Sequence, residues 1–305
     1  MDTERALTIA GKHLQALKGH VFDLLTVAKP ISPNAAVNLA KIISKLSPLL
    51  GNLIEFNSVE ILNGKSDFKK HGTWIRQDPG FPDSIFQGSV IPVPGFEIKA
   101  WFPLATEITA RFRDSQNHFV KDNTHVAMLA WLPEKLIYGK PEILAVCVMS
   151  AKSVAAARDI HYHNPPDYIV LEPGDTTART SNLQQTNTYG YKFQGTAKEL
   201  RRAEQMVASW GKNGKKFKPT SDYQVKLRQL FGKFSYRLDT NFAKMDRIVH
   251  PEIERFKDEI MNTQVHGLTI EEWRTLLASE DKAAIRDTLA SRLDIREQAV
   301  KALVK

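Results

Sequence analysis

Three residues carry the chemistry that this chain can be read for: Asp83, Glu97 and Lys99. Asp83 follows Pro82 and opens one β-like run, and Glu97 and Lys99 bracket Ile98 in the next. Two carboxylates can hold a divalent cation through oxygen ligands. Side chains repeat every two residues along a strand, so Glu97 and Lys99 share a face while Ile98 points the other way, into the core. The Ile98 backbone carbonyl can add a further oxygen. A dication and an ammonium beside a phosphodiester can generate hydroxide and stabilise a pentacovalent phosphate. Two neighbouring carboxylates keep Lys99 protonated unless it is desolvated, which favours electrostatic stabilisation over a strict general-base role. The plain structural alternative is a loop aspartate and an exposed edge-strand Glu/Lys pair.

The spacing imposes a geometric condition. A tight hairpin centred on Pro92-Val93-Pro94 puts Glu97 opposite Ser89 and leaves Asp83 about 20 Å away, since a strand rises ~3.3 Å per residue. The acids meet only if the strands bend or the turn centres near Val90. Gly88 and Pro92 permit such a break.

Pro82-Asp83 followed by Glu97-Ile98-Lys99 resembles the PD-(D/E)xK nuclease superfamily, and within it the type II restriction endonucleases. The likeness covers residues 47–102. It implies an α/β core, a mixed central sheet flanked by helices, here with helical N- and C-terminal additions. It also implies Mg2+ as cofactor, with Asp83, Glu97 and the Ile98 carbonyl as ligands and Lys99 beside them. Members often carry another acid on the helix before the first motif strand. Glu55 and Glu60 are candidates, and Glu55 is preferred because Gly51 lies four residues earlier on the same helical face. An exposed helical glutamate is the alternative, and Glu107 is a further candidate. The implied reaction is site-specific hydrolysis of double-stranded DNA leaving 5′-phosphate and 3′-hydroxyl ends. Cutting both strands calls for two sites, hence a two-fold homodimer joined through the N- or C-terminal helices. A restriction enzyme also implies a cognate DNA methyltransferase in the same system.

The elements that must position these residues follow from hydrophobic spacing. Residues 3–28 read as a helix, as do 34–46 after an Asn34 cap and 47–63 opened by Ser47-Pro48. Residues 64–82 read as loop. Strands are expected over 84–91, 96–102, 124–132 and 143–149, with Gly139-Lys140-Pro141 turning between the last two. A short helix is expected over 104–112, a helix over 150–161 and a last strand over 168–171. Beyond 198 the chain reads as mostly helical, with helices over 269–279, opened by a Thr269/Glu272 capping box, and 280–304, opened by Ser279. The resulting division is 1–196 for the catalytic core and 197–305 for DNA-backbone contact or dimerisation.

Composition narrows the partners. The chain of 305 residues carries a net charge of +8. Between Lys198 and Arg237 eleven basic residues, among them Arg201, Arg202, Lys215 and Lys216, face three acids. That excess equals the net charge of the whole chain and favours a polyanionic partner. Aromatic residues from Trp210 to Tyr236 are interleaved with it; the alternative is a solvated face. Just upstream, Arg179, Asn182, Gln184, Gln185, Asn187 and Lys192 form an amide-rich run. Arginine pairs with guanine, and Asn and Gln with adenine, so this run suits major-groove readout; the alternative is a polar loop. His161 and His163 could bind metal but also fit a polar connection. No phosphate-binding glycine loop or serine-triad signature is present. No run approaches the ~20 apolar residues of a membrane span. The charged start, Met1 to Arg5, lacks a signal core, and the single Cys147 excludes an internal disulfide, so a cytoplasmic protein is expected. The remaining alternatives are a structure-specific repair or junction nuclease and a non-catalytic basic DNA-binding protein.

Overall fold

The computed structural model describes residues 1–77, 80–105, 108, 112, 119, 121–160, 191–193, 195–212, 214, 220–238 and 245–298. Its contacts group the chain into two compact units, Met1–Ile108 with His125–Met149 and Pro251–Lys305, and Thr109–Thr124 with Ser150–His250.

The first unit is α/β. Its mixed five-stranded sheet runs in the order β1 (Gly72–Arg76), β2 (Ser84–Gly88), β3 (Gly95–Trp101), β4 (Thr124–Lys135) and β5 (Tyr138–Ser150). β1–β2 and β2–β3 pair antiparallel. Every residue from Val126 to Leu132 is buried. Such a continuous apolar run marks a strand covered on both faces.

Helices supply both covers. α1 (Thr3–Gln15) starts where the Asp2 side chain accepts from the Arg5 N–H, and it buries Leu7, Ala10 and Leu14. Its Gly11 lies against Val148 of β5. α3 (Ser47–Asn63) sets Gly51 over Ala100 of β3. α7 (Pro251–Met261) meets the residues of opposite parity: Phe256 packs on Trp101, and the Cys147 thiol points to the Glu252 carbonyl. Strand alternation therefore puts α1 and α3 on one face and α7 on the other. Phe68, Trp74, Phe86 and Phe96 form a knot with ring centroids 5.2–5.7 Å apart. Each such pair contributes ~0.5–1.5 kcal/mol beyond area burial. α2 (Pro33–Ile42) packs on α9 (Lys282–Arg292), with α8 (Ile270–Ala278) between α7 and α9 in sequence.

Several boundaries differ from expectation. The first helix stops at Gln15, not near residue 28. Gly19 takes φ +79° and donates to the Ile143 carbonyl, and Val21 and Val27 then form isolated bridges to Glu142 and Gly139 of β5. α2 is capped by Ser32, whose hydroxyl accepts from the Ala35 N–H, rather than by Asn34. The expected loop 64–82 contains β1. The turn between β4 and β5 lies at Leu136-Ile137, and residues 139–141 belong to β5. The last helix is capped by Asp281, not Ser279, and ends at Arg292.

The second unit contains α4 (Ala151–Ile160), the paired strands β6 (Tyr191–Phe193) and β7 (Tyr236–Leu238), α5 (Ala197–Ala208) and α6 (Ser221–Lys233). Ala203 and Val207 of α5 meet Tyr223, Leu227 and Leu230 of α6, with Phe193 and Phe234, in a small hydrophobic core. Arg158 is buried and donates to the Phe112 carbonyl at 2.8 Å. The expected strand 168–171 lies outside the described residues. Among the described residues no helix is long and apolar enough to cross a membrane.

Candidate active site

The β2–β3 register decides whether the two acids meet. Ser84 pairs with Phe96 and Ile85 with Gly95. One rung further, Asp83 stands opposite Glu97. The hairpin therefore centres on Val90, not on Pro92-Val93-Pro94. Val90 is buried, and Phe86 N–H donates to the Pro94 carbonyl at 2.9 Å. Pro94 has no N–H for a ladder, so β3 begins at Gly95. A Cβ at Gly95 would lie 2.5 Å from Pro82 Cγ and 3.2 Å from the Ser84 carbonyl. Glycine lets β3 start flush against the residue before Asp83. The Gln77 backbone N–H donates to the Asp83 carbonyl at 2.7 Å, and its side-chain amide donates to the Pro82 carbonyl at 2.8 Å.

The carboxylates then engage each other's strand. The Asp83 N–H donates to Glu97 Oε2 at 3.1 Å. The Ile98 N–H donates to Asp83 Oδ2 at 2.8 Å. Lys99 Nζ donates to Asp83 Oδ2 at 3.3 Å and pairs with Glu97 Oε1. The side chains are little exposed: 7% for Glu97, 14% for Lys99 and 22% for Asp83. Burial disfavours the charge on Lys99, but Glu97, Asp83 and, more weakly, Glu55 outweigh it and hold the ammonium above the ordinary lysine value. Ile98 is buried on the opposite side of the strand, as the alternation requires.

Glu55 reaches this neighbourhood from α3. Gly51, one turn earlier, lies over Ala100 of β3. At the end of α3 the Asn63 side chain bonds both backbone groups of Trp74, tying the helix to β1. Two residues beyond Trp74, and so on the same face of β1, Arg76 sets its guanidinium 4.0 Å from Glu55 Oε2. Sequence reasoning missed Arg76, because the strand that carries it was read as loop. Its one sequence signal is the shared parity with Trp74. Glu60 is exposed, and Glu107 lies outside the described residues.

The donor set fits a hard cation in part. Asp83 and Glu97 offer carboxylate oxygens, and Asp83 Oδ1 accepts no hydrogen bond from a described residue. Among the described residues no group of three His, Cys, Asp or Glu side chains is assembled for a metal. Mg2+ commonly binds through only one or two carboxylates, with waters and substrate phosphates completing its shell. Asp83 and Glu97 match that pattern, with the Lys99 ammonium now shared between them.

The second unit carries the basic helices. Arg201 and Arg202 are exposed on α5, and Lys226 and Arg228 are exposed on α6. Tyr223 and Phe234 are core residues, and Trp210 packs edge-on against Tyr223. Tyr223 and Phe234 serve the fold, and Trp210 packs partly buried against the same core. Burial pushes the Tyr223 hydroxyl up to about 12. The backbone of Lys192 pairs with Arg237 across β6 and β7. Arg179, Asn182, Gln184, Gln185, Asn187, Lys215, Lys216, His161 and His163 lie outside the described residues.

No protein-family model, curated protein or solved structure matches the chain.

Proposed function

We propose that this protein is a Mg2+-dependent, sequence-specific endodeoxyribonuclease of the type II restriction kind, built on a restriction-endonuclease-like core. The observation that carries the reading is the register that sets Asp83 beside Glu97 and Lys99. The helix α3 before the motif strands, whose Glu55 adds a weak attraction for the Lys99 ammonium, supports it further.

Asp83, Glu97 and the Ile98 carbonyl would hold Mg2+. When bound, the ion supplies Lewis acidity to the phosphoryl oxygen and acidifies the attacking water. Lys99 stabilises negative charge that builds on the phosphate as water attacks phosphorus. The backbone amides of Asp83 and Ile98 keep the two carboxylates in place. Exposed Arg201 and Arg202 contact the DNA backbone, and residues 179–192 read bases in the major groove. Cleavage of both strands is the work of a homodimer.

The test is incubation with phage and supercoiled plasmid DNA, with Mg2+ or with EDTA. Discrete fragments that need Mg2+ and disappear in Asp83→Ala and Lys99→Ala support the reading. A smear, or cutting of branched DNA alone, points to a structure-specific nuclease of the same superfamily. A second reading has its own observation. Lys99 pairs with both carboxylates, as in a structural ion-pair cluster. On that reading the protein is a basic DNA-binding protein, and it binds duplex DNA without nicking it at any Mg2+ concentration.

A further inference from the structure

We propose that Lys99 is the resident counter-ion of the Asp83/Glu97 pair, so that a divalent cation enters only as the ammonium releases both carboxylates. This rests on the metal-dependent reading above and specifies how its site is regulated.

The ammonium touches Asp83 Oδ2 and Glu97 Oε1 together. It thus stands at the position where one cation is shared by one oxygen from each acid. Two carboxylates this close and this little exposed repel each other unless a cation lies between them. In this arrangement Lys99 supplies that cation. Its departure leaves the acids posed, because the Ile98 N–H still holds Asp83 and the Asp83 N–H still holds Glu97. The released ammonium sits on a flexible four-carbon stem and is drawn to any phosphate nearby. DNA that engages Lys99 therefore raises affinity for the dication, and the dication raises affinity for that phosphate by the same factor. Glu55 belongs to the same balance, with Arg76 as its own cation.

The experiment is Mn2+ binding to the full chain without DNA, followed by electron paramagnetic resonance of the unbound ion. Lys99→Met and Lys99→Gln should each bind Mn2+ at least tenfold more tightly than the wild type, and adding Asp83→Asn should abolish the gain. Equal or weaker binding by both lysine variants, with Asp83→Asn still reducing binding to the wild type, overturns the counter-ion role and leaves the metal site standing. No Asp83-dependent Mn2+ binding in any chain removes the metal site and the proposal with it. Should both lysine variants misfold, the wild type uniformly labelled with 15N answers the question. A Mg2+ titration should shift the Lys99 ammonium resonance along with the amides of Asp83 and Ile98. Amides that move while the ammonium does not would overturn the proposal.

Discussion

The β2–β3 hairpin and the α5–α6 segment both concentrate charge, in opposite ways. In the hairpin, opposite charges are nearly enclosed, each carboxylate is held by a backbone amide, and the cation is shared. On α5 and α6, exposed basic residues outnumber exposed acids, while the apolar faces of the same helices close a small core. Enclosed, paired charges are placed to fractions of an ångström and weakly screened, which suits bond-making chemistry. An exposed basic excess is loosely placed and strongly screened, which suits attraction of a polyanion.

The sharpest way to break this contrast is to remove a charge from each region. Lys99→Ala leaves two enclosed carboxylates without their cation and should destabilise the fold by about 3–5 kcal/mol, measured by urea unfolding. On the proposed function it also abolishes cleavage. Arg201→Ala or Arg228→Ala should leave urea unfolding almost unchanged and instead weaken DNA binding. Each lost phosphate contact should flatten the slope of log K against log salt by about 0.9. If Lys99→Ala is silent in stability and cleavage, the hairpin charges are no different in kind from those on the helices.

A smaller effect tests the register. Gly95→Ala places a methyl group against Pro82 and the Ser84 carbonyl. Either Pro82 moves, taking Asp83 with it, or β3 shifts. The expected cost is about 1–3 kcal/mol, as for overpacking elsewhere, with a larger proportional loss of cleavage than of DNA affinity. Gly232→Ala in α6 is the matched control, since its position opens on empty space. There the substitution should stabilise the helix slightly.

The placement of Glu97 and Lys99 on one side of their strand was legible in the sequence because strand periodicity is rigid. Glu97 and Lys99 share a side, and Ile98 is buried opposite them. The meeting of Asp83 with Glu97 was legible only as one of two hairpin geometries. Which one forms depends on burial of Val90 and on a carbonyl of Pro94 that pairs while its nitrogen cannot. β1 was missed because only Trp74 of its five residues is buried, so no apolar run announced it, and Arg76 was missed with it. The first helix was overextended because Val21, Leu24 and Leu25 keep helical spacing. Yet Phe22 is the residue buried there, in a segment turned by Gly19 onto β5. The interleaved aromatics of the basic segment looked like part of a binding surface because charge and core alternate along the same helices. Periodicity alone assigns Tyr223, Leu227 and Leu230 to one face.

Alkaline titration sharpens the contrast with a sign that can be worked out. Lys99 is held above its ordinary value in the folded chain. A group raised in this way contributes stability that is complete below its unfolded pKa of about 10.4 and fades as pH rises through the folded value. The difference in unfolding free energy between wild type and Lys99→Met should therefore stay constant from about pH 7 to 10. A difference that shrinks across that range means the ammonium is not paired as described.

The smallest effect compares two helix starts built alike, one in each unit. Thr196/Glu199 opens α5 and Thr269/Glu272 opens α8, both as capping boxes. Each box closes with three hydrogen bonds, at 2.9, 2.8 and 3.3 Å around Thr196 and at 2.7, 3.0 and 3.1 Å around Thr269. Hydrogen bonds from the threonine hold Glu199 and Glu272 below the usual glutamate value. That contribution is present above the unfolded glutamate pKa of about 4.3 and is lost as pH falls through the folded value. Thr196→Ala and Thr269→Ala should each cost about 1 kcal/mol at neutral pH, read from amide exchange in the first turn of the helix concerned. Both losses should shrink toward pH 3. Losses that ignore pH would mean that the caps act through the threonine backbone conformation rather than through the glutamate.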